Sequence, residues 1–134
     1  MEKWFSEYPN CQGAVSILFT DDAEIRHMNR QFRGKNSSTD VLTFPSGITN
    51  SPIMGDIAIS LETASRQAKI HKHSLSQETA ILALHGALHL AGLDDISDSE
   101  CEEMHQEMAR ICELANVKFS SDWSTKPEVK IAGN

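Results

Sequence analysis

Apolar and polar positions along this chain follow two rhythms. Ala14 to Thr20 (AVSILFT) alternates and is rich in β-favouring residues, which predicts a strand. Asp21 to Phe32 shifts to a helical period. Asp21 can cap that helix, Glu24 stands at the reciprocal capping position, and Ile25, Met28 and Phe32 form its apolar stripe. The polar run Arg33-Gly34-Lys35-Asn36-Ser37-Ser38 reads as a loop. Thr39 to Phe44 (TDVLTF) reads as a second strand, stopped by Pro45. Turn formers fill Ser46 to Pro52, a third strand covers Asp56 to Ser60, and a helix covers Leu61 to Ile70.

A longer helix is predicted from about Leu75 to Ala91, with Ser74 and Gln77 as a capping pair and Gly92 as its stop. Its apolar residues Ile81, Leu82, Leu84, Leu88 and Leu90 cover most sides, so it should be buried. Ser97 and Glu100 start a last helix ending near Ala115, with the stripe Cys101, Met104, Met108, Ile111 and Ala115. Residues from Ser120 onward are polar and read as a loose tail, so the expected organisation is one domain over 1–119 and a tail over 120–134. Strands alternating with helices in 134 residues predict a small α+β domain, a mixed sheet packed against helices.

Composition narrows the function classes. Hydrophobic residues make up 40% and charged residues 23%, as in an ordinary globular protein. Met1 to Asn10 has no apolar core of the signal-peptide kind, and Ala80 to Leu93 is too short to span a bilayer, so the expectation is cytoplasmic with no membrane partner. Cys11, Cys101 and Cys112 show no CxxC pairing and read as reduced packing residues. The net charge of −7 opposes simple attraction to nucleic acid, yet the charges are segregated. Arg26, Arg30, Arg33 and Lys35 cluster early, Arg66, Lys69 and Lys72 form a second group, and acids crowd the stretch after Asp94.

The chemistry concentrates in His85-Gly86-Ala87-Leu88-His89-Leu90-Ala91-Gly92-Leu93-Asp94-Asp95. Histidines four apart on a helix share one face. Neutral imidazoles in apolar surroundings need partners, and a metal satisfies both rings. Asp95 adds a carboxylate at the eleventh position, giving the spacing of the long zinc motif of metzincin proteases. Two imidazoles and one carboxylate suit one divalent ion, zinc first, with a position left for water. The glutamate that serves as general base in HExxH is absent, since Gly86 holds its place, which argues against peptide hydrolysis.

These residues resemble the YbeY family, bacterial rRNA maturation factors and single-strand-specific endoribonucleases. HGALHLAGLDD is similar to that family's HGxLHLxGYDH. Arg33-Gly34-Lys35 with Thr39-Asp40-Val41-Leu42-Thr43-Phe44-Pro45 resembles its R-G-K…T-D-V-L-S-F-P, and Met54 to Ser60 its G-D-I-x-I-S strand. The resemblance implies zinc ligands at His85, His89 and Asp95 and a functional arginine at Arg33. It also implies ribosomal RNA and ribosomal particles as partners. Thr43 departs from the family serine and keeps the hydroxyl. Asp95 departs from the family's third histidine. A carboxylate there makes the ion a weaker Lewis acid than three neutral imidazoles would, and favours harder metals such as manganese. His105, on the last helix, is a substitute ligand to consider beside a plain exposed histidine. The expected function is thus metal-dependent RNA cleavage in ribosomal RNA maturation. A non-catalytic ribosome assembly factor and a metal-dependent hydrolase of another substrate are the alternatives.

Overall fold

The structure, a computed structural model, describes residues 14–46, 53–93, 97–119 and Trp123. In chain order its elements are β1 (Ala14–Thr20), α1 (Asp22–Arg33), β2 (Val41–Pro45), β3 (Ile53–Ser60), α2 (Leu61–His71), α3 (Leu75–Leu90) and α4 (Asp98–Leu114). The strands form one mixed sheet in the order β1-β3-β2. β1 runs parallel to β3, with Ile17 opposite Ile57, and β2 runs antiparallel to it, with Val41 opposite Ile59. This is the α+β architecture expected from the pattern.

Side-chain alternation assigns the two faces of the sheet. Val41, Ile57 and Ile59 point into the main core, which α3 fills with Ile81, Leu82, Ala87 and Leu88 and α4 completes with Met104, Met108 and Ile111. The intervening residues Leu42 and Ala58 pack on Ile25 of α1. The sheet is therefore sandwiched, with α1 on one side and the histidine-bearing α3 on the other.

Local signals set most boundaries. The Asp21 carboxylate accepts from the Glu24 N–H at the start of α1. Reciprocal capping boxes, Ser74 with Gln77 and Ser97 with Glu100, open α3 and α4. Gly92 follows α3 with φ +103°, a conformation that favours glycine. Three details differ from expectation. β2 begins at Val41 because the buried Asp40 side chain accepts from the Val41 N–H and the Thr39 hydroxyl. β3 begins at Ile53 because its first residues pair with Ala14 and Pro45. Phe32, expected in the α1 stripe, is 63% exposed and meets Phe44 edge-on, while Asn29 is buried instead.

Candidate metal centre

Two glycines bring the sheet against the histidine half of α3. A Cβ at Gly86 would stand 3.1 Å from Ile57 Cγ2 and 3.2 Å from Thr43 Cγ2. A Cβ at Gly55 would stand 2.5 Å from the Phe44 carbonyl oxygen and 2.9 Å from Leu90 Cδ2. Backbone lies closest at position 55, so no side-chain adjustment makes room there. The position that carries glutamate in HExxH is thus a contact between α3 and the sheet.

On that helix, His85 is buried and His89 is half-buried. Their Nε2 atoms lie 3.1 Å apart, with the rings edge to face. At this separation the two nitrogens either share one proton or ligate one ion. Tetrahedral zinc at about 2.0–2.1 Å from nitrogen sets neighbouring donors about 3.3 Å apart, so the pair fits one metal. Asp95, the third expected ligand, lies outside the described residues. His105, on α4, is half-buried, its ring centroid 5.9 Å from that of Phe119 and 6.4 Å from that of Trp123.

Arg33 ends α1 and is exposed. Its Nη2 donates to the Thr43 carbonyl of β2 at 2.8 Å. Thr43 is also the residue whose methyl abuts Gly86, next in the chain to His85. The arginine is thereby anchored to the strand segment that supports the histidine helix. Its neighbours Arg26, Arg30 and Lys35 are exposed as well. Arg66 of the second basic group is engaged with Asp22 at 2.7 Å. Partial burial pushes the Asp22 carboxyl up, but hydrogen bonds from Ser60, Thr63 and Arg66 and the Arg66 charge outweigh it and bring it to about 2.

A second group of donors lies at the other end of α3. Lys72 adopts a left-handed turn, φ 60°, between α2 and the start of α3, so His71 and His73 both face Glu78. Glu78 is fully buried. Its Oε1 stands 3.1 Å from His71 Nδ1 and 3.9 Å from His73 Nε2. Its Oε2 accepts from the indole N–H of Trp123 at 2.8 Å. The Trp123 ring centroid also lies 5.6 Å from that of His85 and 6.1 Å from that of His71. Trp123 falls in the stretch expected to be a loose polar tail, yet it is 1% exposed. Its hydrophobic bulk and single N–H donor match a buried apolar wall with one carboxylate. The sequence signal for this group is Glu78 seven residues before His85, on the same helical face.

Comparison with known proteins agrees with this architecture. A family model described as "Endoribonuclease YbeY" matches residues 2–116. A relative from Chelativorans sp. (strain BNC1), named "Endoribonuclease YbeY", is 46% identical over 100 residues, covering 71% of this chain and 61% of its own length. A relative of the same name from Pelotomaculum thermopropionicum is 40% identical over 113 residues, covering 79% of this chain and 74% of its own. The chain spans 50% of the length of the Prochlorococcus marinus relative. Among solved structures, the solution structure of TM1509 from Thermotoga maritima superposes with a TM-score of 0.57 at 25% identity, covering 92% of this chain and 83% of that one. Because the family match runs through every described element from β1 to α4, the chain belongs to the YbeY family.

Proposed function

We propose that this chain is a metal-dependent, single-strand-specific endoribonuclease that matures ribosomal RNA in the cytosol, with residues 1–119 acting as one domain. The observation that carries this reading is the convergence of His85 and His89 Nε2 at 3.1 Å beside a strand anchored by an exposed arginine. Family membership and the relatives' names support RNA as substrate. His85, His89 and Asp95 would hold the ion. When bound, it supplies Lewis-acid polarisation of a phosphate oxygen and a more acidic water.

The chain's own residues supply the rest. α3 is fixed by the sheet, so its two imidazoles are held in place before substrate arrives. The guanidinium carries five N–H donors, one of which holds Thr43. The remaining fork matches a phosphodiester and steadies the charge that builds during cleavage. Arg26, Arg30 and Lys35 extend the cationic surface for the RNA backbone.

The test is cleavage of single-stranded ribosomal RNA fragments by purified protein, with and without chelator, and by a His85→Ala/His89→Ala variant. Chelation and the double variant are each expected to abolish cleavage, and metal readdition to restore only the parent. Undiminished cleavage by the double variant overturns the reading. The net charge of −7 favours a second reading, a non-catalytic assembly factor. Ribosomal particle binding by a parent that cleaves no RNA would establish it.

A further inference from the structure

We propose that His71, His73 and Glu78 form a second divalent-metal site, distinct from the His85 and His89 pair. The candidate donor atoms all lie within 4.8 Å of one another. The Glu78 Oε1 to His71 Nδ1 and His73 Nε2 separations are 3.1 and 3.9 Å. Both fall within several tenths of an ångström of the roughly 3.3 Å between neighbouring donors of a tetrahedral zinc. Two imidazoles with one carboxylate is a donor set for zinc, or for cobalt as its probe.

A separate observation points to a ligand. His73 Nε2 is buried with no hydrogen-bond partner among the described residues, and the His73 side chain is 7% exposed. It is aimed at Glu78 Oε1 from 3.9 Å, beyond hydrogen-bond reach. A buried imidazole nitrogen and a buried carboxylate oxygen held apart at that distance are satisfied together by an ion between them. The Trp123 N–H binds the other oxygen of Glu78, which fixes the carboxylate with Oε1 turned toward both histidines, within hydrogen-bond reach of His71 Nδ1, a contact that an ion between them would replace.

Glu78 and His85 are seven residues apart on α3, about 10 Å along the axis, so one ion cannot serve both groups. The second site joins the end of α2, the turn after it, and the first turn of α3. Through Trp123 it also joins the C-terminal segment. An ion there therefore clamps the helix that carries His85 and His89, and raises the melting temperature.

The test is zinc chloride titration by calorimetry into the chelator-stripped full chain. It uses four proteins: the parent, His85→Ala/His89→Ala, His71→Ala/Glu78→Gln, and the combination of all four changes. Two, one, one and zero equivalents are expected, with a tetrahedral cobalt(II) absorption band retained by each single-site protein. The melting temperature of the His85→Ala/His89→Ala variant should rise with zinc. Failure of that variant to bind zinc while it keeps the parental circular dichroism overturns this site. So does unchanged stoichiometry in His71→Ala/Glu78→Gln. Loss of binding only in the latter instead supports this site and overturns the His85 and His89 pair. Should Glu78→Gln not fold, His71→Ala on its partly exposed ring carries the same comparison.

Discussion

The indole N–H of Trp123 donates to Glu78 Oε2 at 2.8 Å, across 45 residues of sequence, and both side chains are buried. A carboxylate at that depth is costly without donors, so this bond matters more than its length suggests. Trp123→Phe keeps most of the apolar bulk and removes the donor. It should destabilise the protein by about 1–3 kcal/mol, the usual cost of stranding a buried polar group. Urea unfolding measures this, and a loss below about 0.5 kcal/mol would contradict it.

Gly86 is where the sheet and α3 touch. Gly86→Ala gains about 1 kcal/mol of helix propensity but presses on Ile57 and Thr43, so the two effects oppose each other. Gly86→Glu, which would recreate HExxH, drives a carboxylate toward Ile57, which is 0% exposed. We expect it to lose about 3 kcal/mol or more and to gain no peptidase activity. A Gly86→Glu protein as stable as the parent to denaturant would show that the contact yields.

Burial pushes the Asp40 carboxyl up, and hydrogen bonds from Gln67, Thr39 and the Val41 N–H offset this only in part. Its folded pKa lies above its unfolded one. The associated stability is thus complete below the unfolded value of about 3.9 and lost as pH rises through the folded value. Asp22 has the opposite sign, its contribution being present above about 3.9 and lost as pH falls through about 2. Asp40→Asn removes the cost at neutral pH. Its amide can donate to Gln67 Oε1, which has no hydrogen-bond partner among the described residues, if the Gln67 amide rotates. The variant should be more stable than the parent by about 1 kcal/mol at pH 7, with the advantage shrinking toward pH 4. Melting curves across that range check it, and an advantage independent of pH would exclude titration of Asp40 as the cause.

Arg33→Lys preserves charge and loses the planar fork. If the fork grips phosphate, RNA cleavage should fall roughly 10- to 100-fold, the equivalent of one charged hydrogen bond. Fold stability should change little, because Arg33 is exposed. Single-turnover cleavage rates decide the matter, and a rate equal to the parent's would remove the bidentate role.

Asp95→Ala should weaken zinc binding at the His85 and His89 pair, and Asp95→His should retain it while making the ion a stronger Lewis acid. Dissociation constants at fixed pH for the three proteins test this, each in a His71→Ala background so that only one site is read. Equal affinity in Asp95→Ala would leave the third position to another residue, with His105 and Asp94 next.

The elements were legible in the sequence because their causes are local. Capping pairs at Ser74–Gln77 and Ser97–Glu100 and the helical spacing of His85 and His89 act within a few residues, and each appears where the pattern predicts it. The boundary of β3 was not legible, because the pairing of Ile53 with Ala14 and of Gly55 with Pro45 depends on distant strands. Nor was the reason for Gly86. Its motif shows that glutamate is absent, but only the approach of Ile57 and Thr43 shows that the place is filled by the sheet. The grouping of His71, His73, Glu78 and Trp123 is likewise a product of tertiary structure. It needs the left-handed turn at Lys72 and the return of a residue 45 positions beyond Glu78. Periodicity determines which face of a helix is apolar, whereas the partner that covers that face is chosen by burial and hydrogen bonding among segments far apart in the chain.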